Sequence, residues 1–223
     1  MRRKVELTVE GLENLPTTGG VLIAARHYHH LWDGAALFAT IERPASIIVG
    51  LDWVRSTPLK AGLMAACRAA GWPVVARSNP VRPVPDAEAR ALLVRATRDT
   101  LDLLRSGQVV IVFPEGYPNI DPGQTRKSGA DDWLPFEPGV VRLAQIAARQ
   151  SVPAPIVPVG FSYMPGNRWA VTMRIGEPLA VDARTDPADL LARIESAVRE
   201  LSGSPQAANT SAPTTTLGAA AGS

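Results

Sequence analysis

Cysteine is nearly missing from this chain: Cys67 is the only one among 223 residues. A single thiol excludes an internal disulfide and any zinc site built from several cysteines, and it suits a reducing compartment. Long apolar runs are missing as well, since no stretch approaches the roughly 20 residues that a helix needs to cross a bilayer. The start, Met1-Arg2-Arg3-Lys4, is basic but runs into alternating polar residues rather than the apolar segment of a signal peptide. The expectation is a protein neither exported by that route nor membrane-spanning, working in the cytoplasm. Excess charge is lacking too: Lys+Arg 23 against Asp+Glu 21 gives no compositional footing for a nucleic-acid partner. There is also no Gly-rich phosphate loop ending in Lys-Ser/Thr, no dinucleotide fingerprint and no serine in a nucleophile-elbow setting.

Histidine is scarce, and its placement is informative. All three, His27, His29 and His30, fall within Arg26-His27-Tyr28-His29-His30-Leu31-Trp32-Asp33-Gly34. An apolar run, Val21-Leu22-Ile23-Ala24-Ala25, precedes this window, and Ala35-Ala36-Leu37-Phe38 follows it. The pattern predicts a buried strand ending in a histidine-bearing turn, with Asp33 opening a helix as its N-cap. The side chains that titrate near neutrality are thus gathered beside a carboxylate, at a strand-to-helix junction where α/β sheets hold their chemistry.

The rest of the chain alternates strands with helices. Residues 4–9 alternate strictly and predict a half-exposed strand. Short apolar strands are expected at 46–49, 73–76, 109–113, 156–163 and 171–175. Leu59, Leu63, Met64 and Cys67 stand at helical spacing. Asp86 is placed to cap the clearest helix, with Ala89, Leu92, Leu93, Ala96, Thr100, Leu103 and Leu104 on one face and Gly107 at its end. Another helix is expected from about Pro138 to Arg149, and a last one opens at Asp186-Pro187 and closes at Gly203. This order predicts an α/β fold: a mixed, mostly parallel sheet flanked by helices on both faces, in one domain over residues 1–203. Residues 204–223 carry no charge and are rich in Ala, Thr, Ser, Pro and Gly, the composition of a disordered tail.

Four segments, in order, resemble the motifs of the glycerolipid acyltransferases, the family of the 1-acylglycerol-3-phosphate acyltransferases. His27 and Asp33 hold the place of the family's His and Asp, with five intervening residues where the family has four. Gly71-Trp72-Pro73-Val74-Val75-Ala76-Arg77 resembles its Gly-apolar-Arg motif, and Phe113-Pro114-Glu115-Gly116 matches its third motif letter for letter. Ile156-Val157-Pro158-Val159 resembles its proline-containing strand, and Gly176-Glu177-Pro178-Leu179 also follows a late strand as in family members.

The resemblance implies an acyltransferase that uses acyl-CoA or acyl-carrier protein as co-substrate and a lysophospholipid as acceptor, with no further cofactor and no metal. It implies His27 as general base with Asp33 as its orienter, and Arg77, Phe113, Pro114, Glu115 and Gly116 as substrate contacts. The residue types suit the chemistry on their own account. An imidazole is the base best matched to neutral pH, and a carboxylate on its far nitrogen fixes the tautomer. Arg77 at a strand end can grip a phosphate through two hydrogen bonds, or form an ordinary surface ion pair. Glu115 follows a very apolar strand, where an idle carboxylate would be costly. It either faces the acceptor headgroup or belongs to a structural turn.

Three departures from the family pattern bear on function. The extra residue between His27 and Asp33 makes His29 the alternative base. Tyr117-Pro118 stands where many members have Thr-Arg after the third motif, which leaves Arg126 and Lys127 as substitutes for a phosphate contact and the acceptor's identity open. Relatives often begin with hydrophobic helices. Here peripheral membrane attachment would fall to Trp53, Leu59, Leu63 and Met64 with Lys60 and Arg68, unless that helix packs on the core. Two other functions fit the same residues: a metal-dependent hydrolase using His27, His29 and Asp33, and a non-catalytic lipid-binding module.

Overall fold

An apolar strand without polar alternation must be covered on both faces, and Val21–Ala25 and Val109–Val112 are of that kind. The computed structural model describes residues 5–29, 31–51, 54, 56–76, 86–118, 133–164 and 166–203. Within them the order is β1 (Val5–Glu10), β2 (Val21–Ala25), α1 (Trp32–Thr40), β3 (Ala45–Ile47), β4 (Val49–Gly50), α2 (Thr57–Ala69), β5 (Val74–Val75), α3 (Asp86–Arg105), β6 (Val109–Val112), α4 (Gly139–Arg149), β7 (Ile156–Met164), β8 (Trp169–Ile175) and α5 (Pro187–Ser202). The main sheet runs β1-β8-β7-β2-β6-β3. Its neighbours are parallel except β7 and β8, which form an antiparallel pair. The fold is therefore the mixed, mostly parallel α/β sheet that the sequence predicts.

The strand period of two sorts the core into two layers. Val21, Ile23 and Ala25 lie with Ile111, Val159 and Phe161 against Ala36 and Leu37 of α1. Leu22, Ala24 and Val110 face the other way, under Leu104 of α3, Val140 and Ala144 of α4, and Leu190, Ile194 and Val198 of α5. Gly160 of β7 is a close-approach point in this second layer. A Cβ there would come within 2.3 Å of the Leu201 carbonyl carbon and 2.4 Å of the Ser202 nitrogen. The missing side chain lets the end of α5 lie directly on the strand.

Local chemistry explains the helix ends. Asp186 accepts from the amides of Ala188 and Asp189, capping α5 with Pro187 in its first turn, as predicted. Gly107, after α3, has φ of 77°, the left-handed geometry that favours glycine.

Several expectations are corrected. The strand expected at 46–49 is two pieces: β3 joins β6, whereas β4 pairs with β5 in a separate two-stranded sheet. Helix α2 lies at the surface with Cys67 its buried residue, so the core-packed alternative describes little of it. The apolar face of α3 is buried at Ala96, Thr100 and Leu104, but Leu93 is 56% exposed. Asp33 does not cap α1. The helix begins at Trp32 with Leu31 in the cap position, and Asp33 sits inside the first turn with its carboxylate engaged elsewhere. The tail from residue 204 lies outside the described residues.

Candidate active site

The site forms where β2 leaves the sheet. Arg26 makes the last ladder bond, its amide donating to Val159 O at 3.0 Å. The next amide, that of His27, turns away and donates to Glu115 Oε1 at 3.1 Å. From there the chain wraps round one carboxylate. Asp33 Oδ2 lies 3.1 Å from His27 Nδ1 and accepts from the His29 amide at 2.8 Å. The turn closes because the Asp33 amide also donates back to His29 O at 3.3 Å. Leu31, on this turn, is 65% exposed.

The two alternative bases are placed differently. The imidazole of His27 is 15% exposed and meets Asp33, which is 0% exposed. The imidazole of His29 serves the helix. Its Nδ1 accepts from the amides of Leu31 at 3.2 Å and Trp32 at 3.4 Å, two of the amides at the start of α1 that need an acceptor. His29 thus does the capping that the sequence assigns to Asp33, which explains why the carboxylate can turn inward. His27 and Asp33 come together; His29 reaches Asp33 through its backbone.

Rings hold the imidazole in its plane. Phe113 stacks on His27 with centroids 4.2 Å apart and planes 14° from parallel. The other Asp33 oxygen, Oδ1, accepts a hydrogen bond from the Tyr163 hydroxyl. Tyr163 is buried and stacks on Tyr28 at 4.3 Å. Its phenol holds its proton far above the ordinary value of 10.0, first through burial and then through the Asp33 charge and their hydrogen bond. The hydroxyl is therefore a permanent donor to Asp33.

The Phe113–Gly116 turn meets the histidine turn from β6. The Gly116 amide donates to Phe113 O at 2.9 Å, with Gly116 at φ of 74°. Glu115 is 2% exposed. Its Oε1 takes the His27 amide and its Oε2 the Leu134 amide at 3.3 Å, so the carboxylate braces backbone on both sides. Arg26, 5% exposed, donates to Phe161 O at 3.3 Å and lies over Trp133, 4.3 Å from the ring centroid. Arg199 lies over the same ring at 5.0 Å.

Tyr163, Tyr28, Arg26 and Trp133 are not among the site residues that the sequence motifs pick out. Tyr163 shares a strand face with Val159, four residues earlier, and Val159 pairs with Ala25 at the end of β2, which sets Tyr163 beside the histidine turn. Arg77, His30, Trp53, Arg126 and Lys127 lie outside the described residues. Among the described residues no three His, Cys, Asp or Glu side chains converge as metal ligands, and no helix is long and apolar enough to cross a membrane.

Comparison with known proteins follows the same line. The family model described as Acyltransferase matches residues 6–162, a span holding His27, Asp33 and Glu115. No curated protein sequence matches the chain. Among solved structures it is similar to the 1-acyl-sn-glycerophosphate (LPA) acyltransferase PlsC from Thermotoga maritima, with a TM-score of 0.59 and 22% identity over 88% of this chain and 70% of that one. At that identity the likeness is one of fold. The match to the family model, over well more than half of the chain, establishes that this protein belongs to the Acyltransferase family.

Proposed function

We propose that the protein transfers a fatty acyl group from acyl-CoA or acyl-carrier protein to the hydroxyl of a lysophospholipid such as 1-acylglycerol-3-phosphate. The observation that carries this reading is the contact of His27 Nδ1 with Asp33 Oδ2 at 3.1 Å, in a chain of this family. With Nδ1–H donating to Asp33, Nε2 is the nitrogen that takes the proton of the acceptor hydroxyl. The oxygen attacks the thioester carbonyl, and a C–O bond forms. The tetrahedral intermediate collapses with loss of the C–S bond, and the departing thiolate takes the proton back from His27. No covalent enzyme intermediate is needed. Asp33 stabilises the imidazolium while it lasts and fixes the tautomer beforehand.

The finer assignments rest on the motifs. Arg77 is proposed to grip a phosphate of the substrate, and the Phe113–Gly116 turn to line the acceptor's place beside His27. Peripheral contact with the inner face of the cell membrane is supported by α2, a surface helix carrying Leu59, Lys60 and Arg68, with Leu59 53% exposed. The test is thiol release from one acyl-CoA, with and without a panel of lysolipid acceptors. Release that depends on an acceptor and survives chelator is the expected result. Loss of activity to chelator, restored by zinc, would favour the hydrolase. Binding of lipid without thiol release would favour the non-catalytic module.

A further inference from the structure

We infer that Tyr163 is a positioning residue of the acyl-transfer centre, acting on His27 through Asp33. The inference rests on the reading of His27 and Asp33 as base and orienter, and it adds a member that lies outside the matched family span, which ends at residue 162. Its basis is the accounting of one buried carboxylate. Asp33 is 0% exposed, so solvent does not balance its charge. Its Oδ2 serves the His29 amide and His27 Nδ1, and its Oδ1 takes the Tyr163 hydroxyl. A carboxylate in such surroundings keeps its charge through its donors. The three donors share that charge, and the Tyr163 bond from the opposite side fixes the plane of the carboxylate, a torsion otherwise broad and nearly two-fold.

Tyr163 is built to stay in place. Besides Tyr28, it meets Trp169 edge-on at 6.2 Å and Trp32 at 6.4 Å. It comes from β7, across the sheet from the loop after β6 that carries Glu115. The aspartate is therefore held from its own turn and from a second element of the core. Among the described residues, the charged and titratable groups facing this cluster include Arg26, Tyr28 and His29 from the histidine turn, Glu115 from the loop after β6, and Asp33 and Tyr163 themselves.

The consequence is directional. Removing the hydroxyl leaves Asp33 with fewer donors. With two donors left, more of the carboxylate's hydrogen bonding falls on His27 Nδ1–H, and its plane is no longer set from the side of β7.

Tyr163→Phe keeps the ring and its stacking, so it isolates the hydroxyl. Two readouts test the inference. The first needs no turnover: the NMR signals of Nδ1 and its proton in ¹⁵N-labelled His27, assigned with His27→Gln. Tyr163→Phe should shift both, because the hydrogen bond from Nδ1–H to Asp33 changes. Unmoved signals overturn the inference, whatever the enzyme's activity. The second is kinetic. Tyr163→Phe should lower kcat by roughly 10–100-fold, the worth of a hydrogen bond to a charged group, with KM for either substrate nearly unchanged. In an Asp33→Asn background it should cost less than about twofold, because its route to His27 is already cut. Equal losses in both backgrounds would reduce Tyr163 to a packing residue. Shifted His27 signals in a protein that does not transfer acyl groups would uphold the coupling of Tyr163 to His27 while removing the function proposed above.

Discussion

The carboxylate of Glu115 holds the backbone of His27: Oε1 accepts the His27 amide at 3.1 Å across 88 residues of sequence. With Oε2 on the Leu134 amide, this one buried side chain ties the histidine turn to the Phe113–Gly116 turn and to the segment before α4. A glutamate in the third motif thus fixes where the imidazole of His27 starts.

That placement predicts how Glu115→Ala will behave. Two backbone donors lose their acceptor, each worth about 1–3 kcal/mol when left unpaired. The urea midpoint should fall, and kcat should drop more than KM rises, since His27 loses its register over Phe113. Urea unfolding and steady-state kinetics on the same preparation check both. A large rise in acceptor KM at unchanged stability would instead make Glu115 a headgroup contact.

Gly160→Ala should be among the most damaging substitutions of a single methyl group. The added Cβ would stand 2.3 Å and 2.4 Å from backbone atoms of Leu201 and Ser202, which cannot step aside as a flexible side chain can. The end of α5 must lift from β7, at about 1–3 kcal/mol or more. The Phe161 amide, which donates to Ser202 Oγ at 3.3 Å, should lose protection in hydrogen exchange.

Cys67 should be a silent thiol in the native protein. Burial pushes its pKa up from the usual 9.0, which lowers the thiolate fraction, and the residue is 6% exposed. A disulfide reagent at pH 8 should react slowly with the folded chain and fully in denaturant. Rapid reaction without denaturant would mean that α2 opens readily from the body of the protein.

Tyr163 gives stability a dependence on alkaline pH. Its folded phenol keeps its proton above 10.0, where an unfolded phenol gives it up. The folded state then binds more protons than the unfolded one, so the contribution is complete below about pH 10 and shrinks as pH rises further. Relative to Tyr163→Phe, the wild type should lose on the order of 1 kcal/mol per pH unit above that point. Parallel stability curves for the two proteins would contradict the burial and bonding of this phenol.

Much of this architecture was legible because burial leaves a period in the sequence. β2 and β6 are apolar throughout and lie inside the sheet with a strand on each side; Asp186-Pro187 starts α5 as its residues require. Local pattern misleads where it competes with tertiary demand. Ile47 and Val49 read as one strand, but β4 turns to β5. Asp33 has the chemistry of a cap, but His29 supplies that cap and frees the carboxylate for His27. The motifs brought His27, Asp33 and Glu115 to notice, whereas Tyr163 sits in a strand of apolar residues. Its role becomes visible only when the register sets Val159 beside Ala25.

The central claim is that the imidazole of His27, held by Asp33, takes the proton of an acceptor hydroxyl. The most direct measurement is acceptor-dependent thiol release from acyl-CoA by wild type, His27→Ala and Asp33→Asn, each checked for an intact fold. The account predicts release by the wild type, background rates for His27→Ala and a loss of about 10³–10⁴-fold for Asp33→Asn. A folded His27→Ala variant that turns over at the wild-type rate would contradict it.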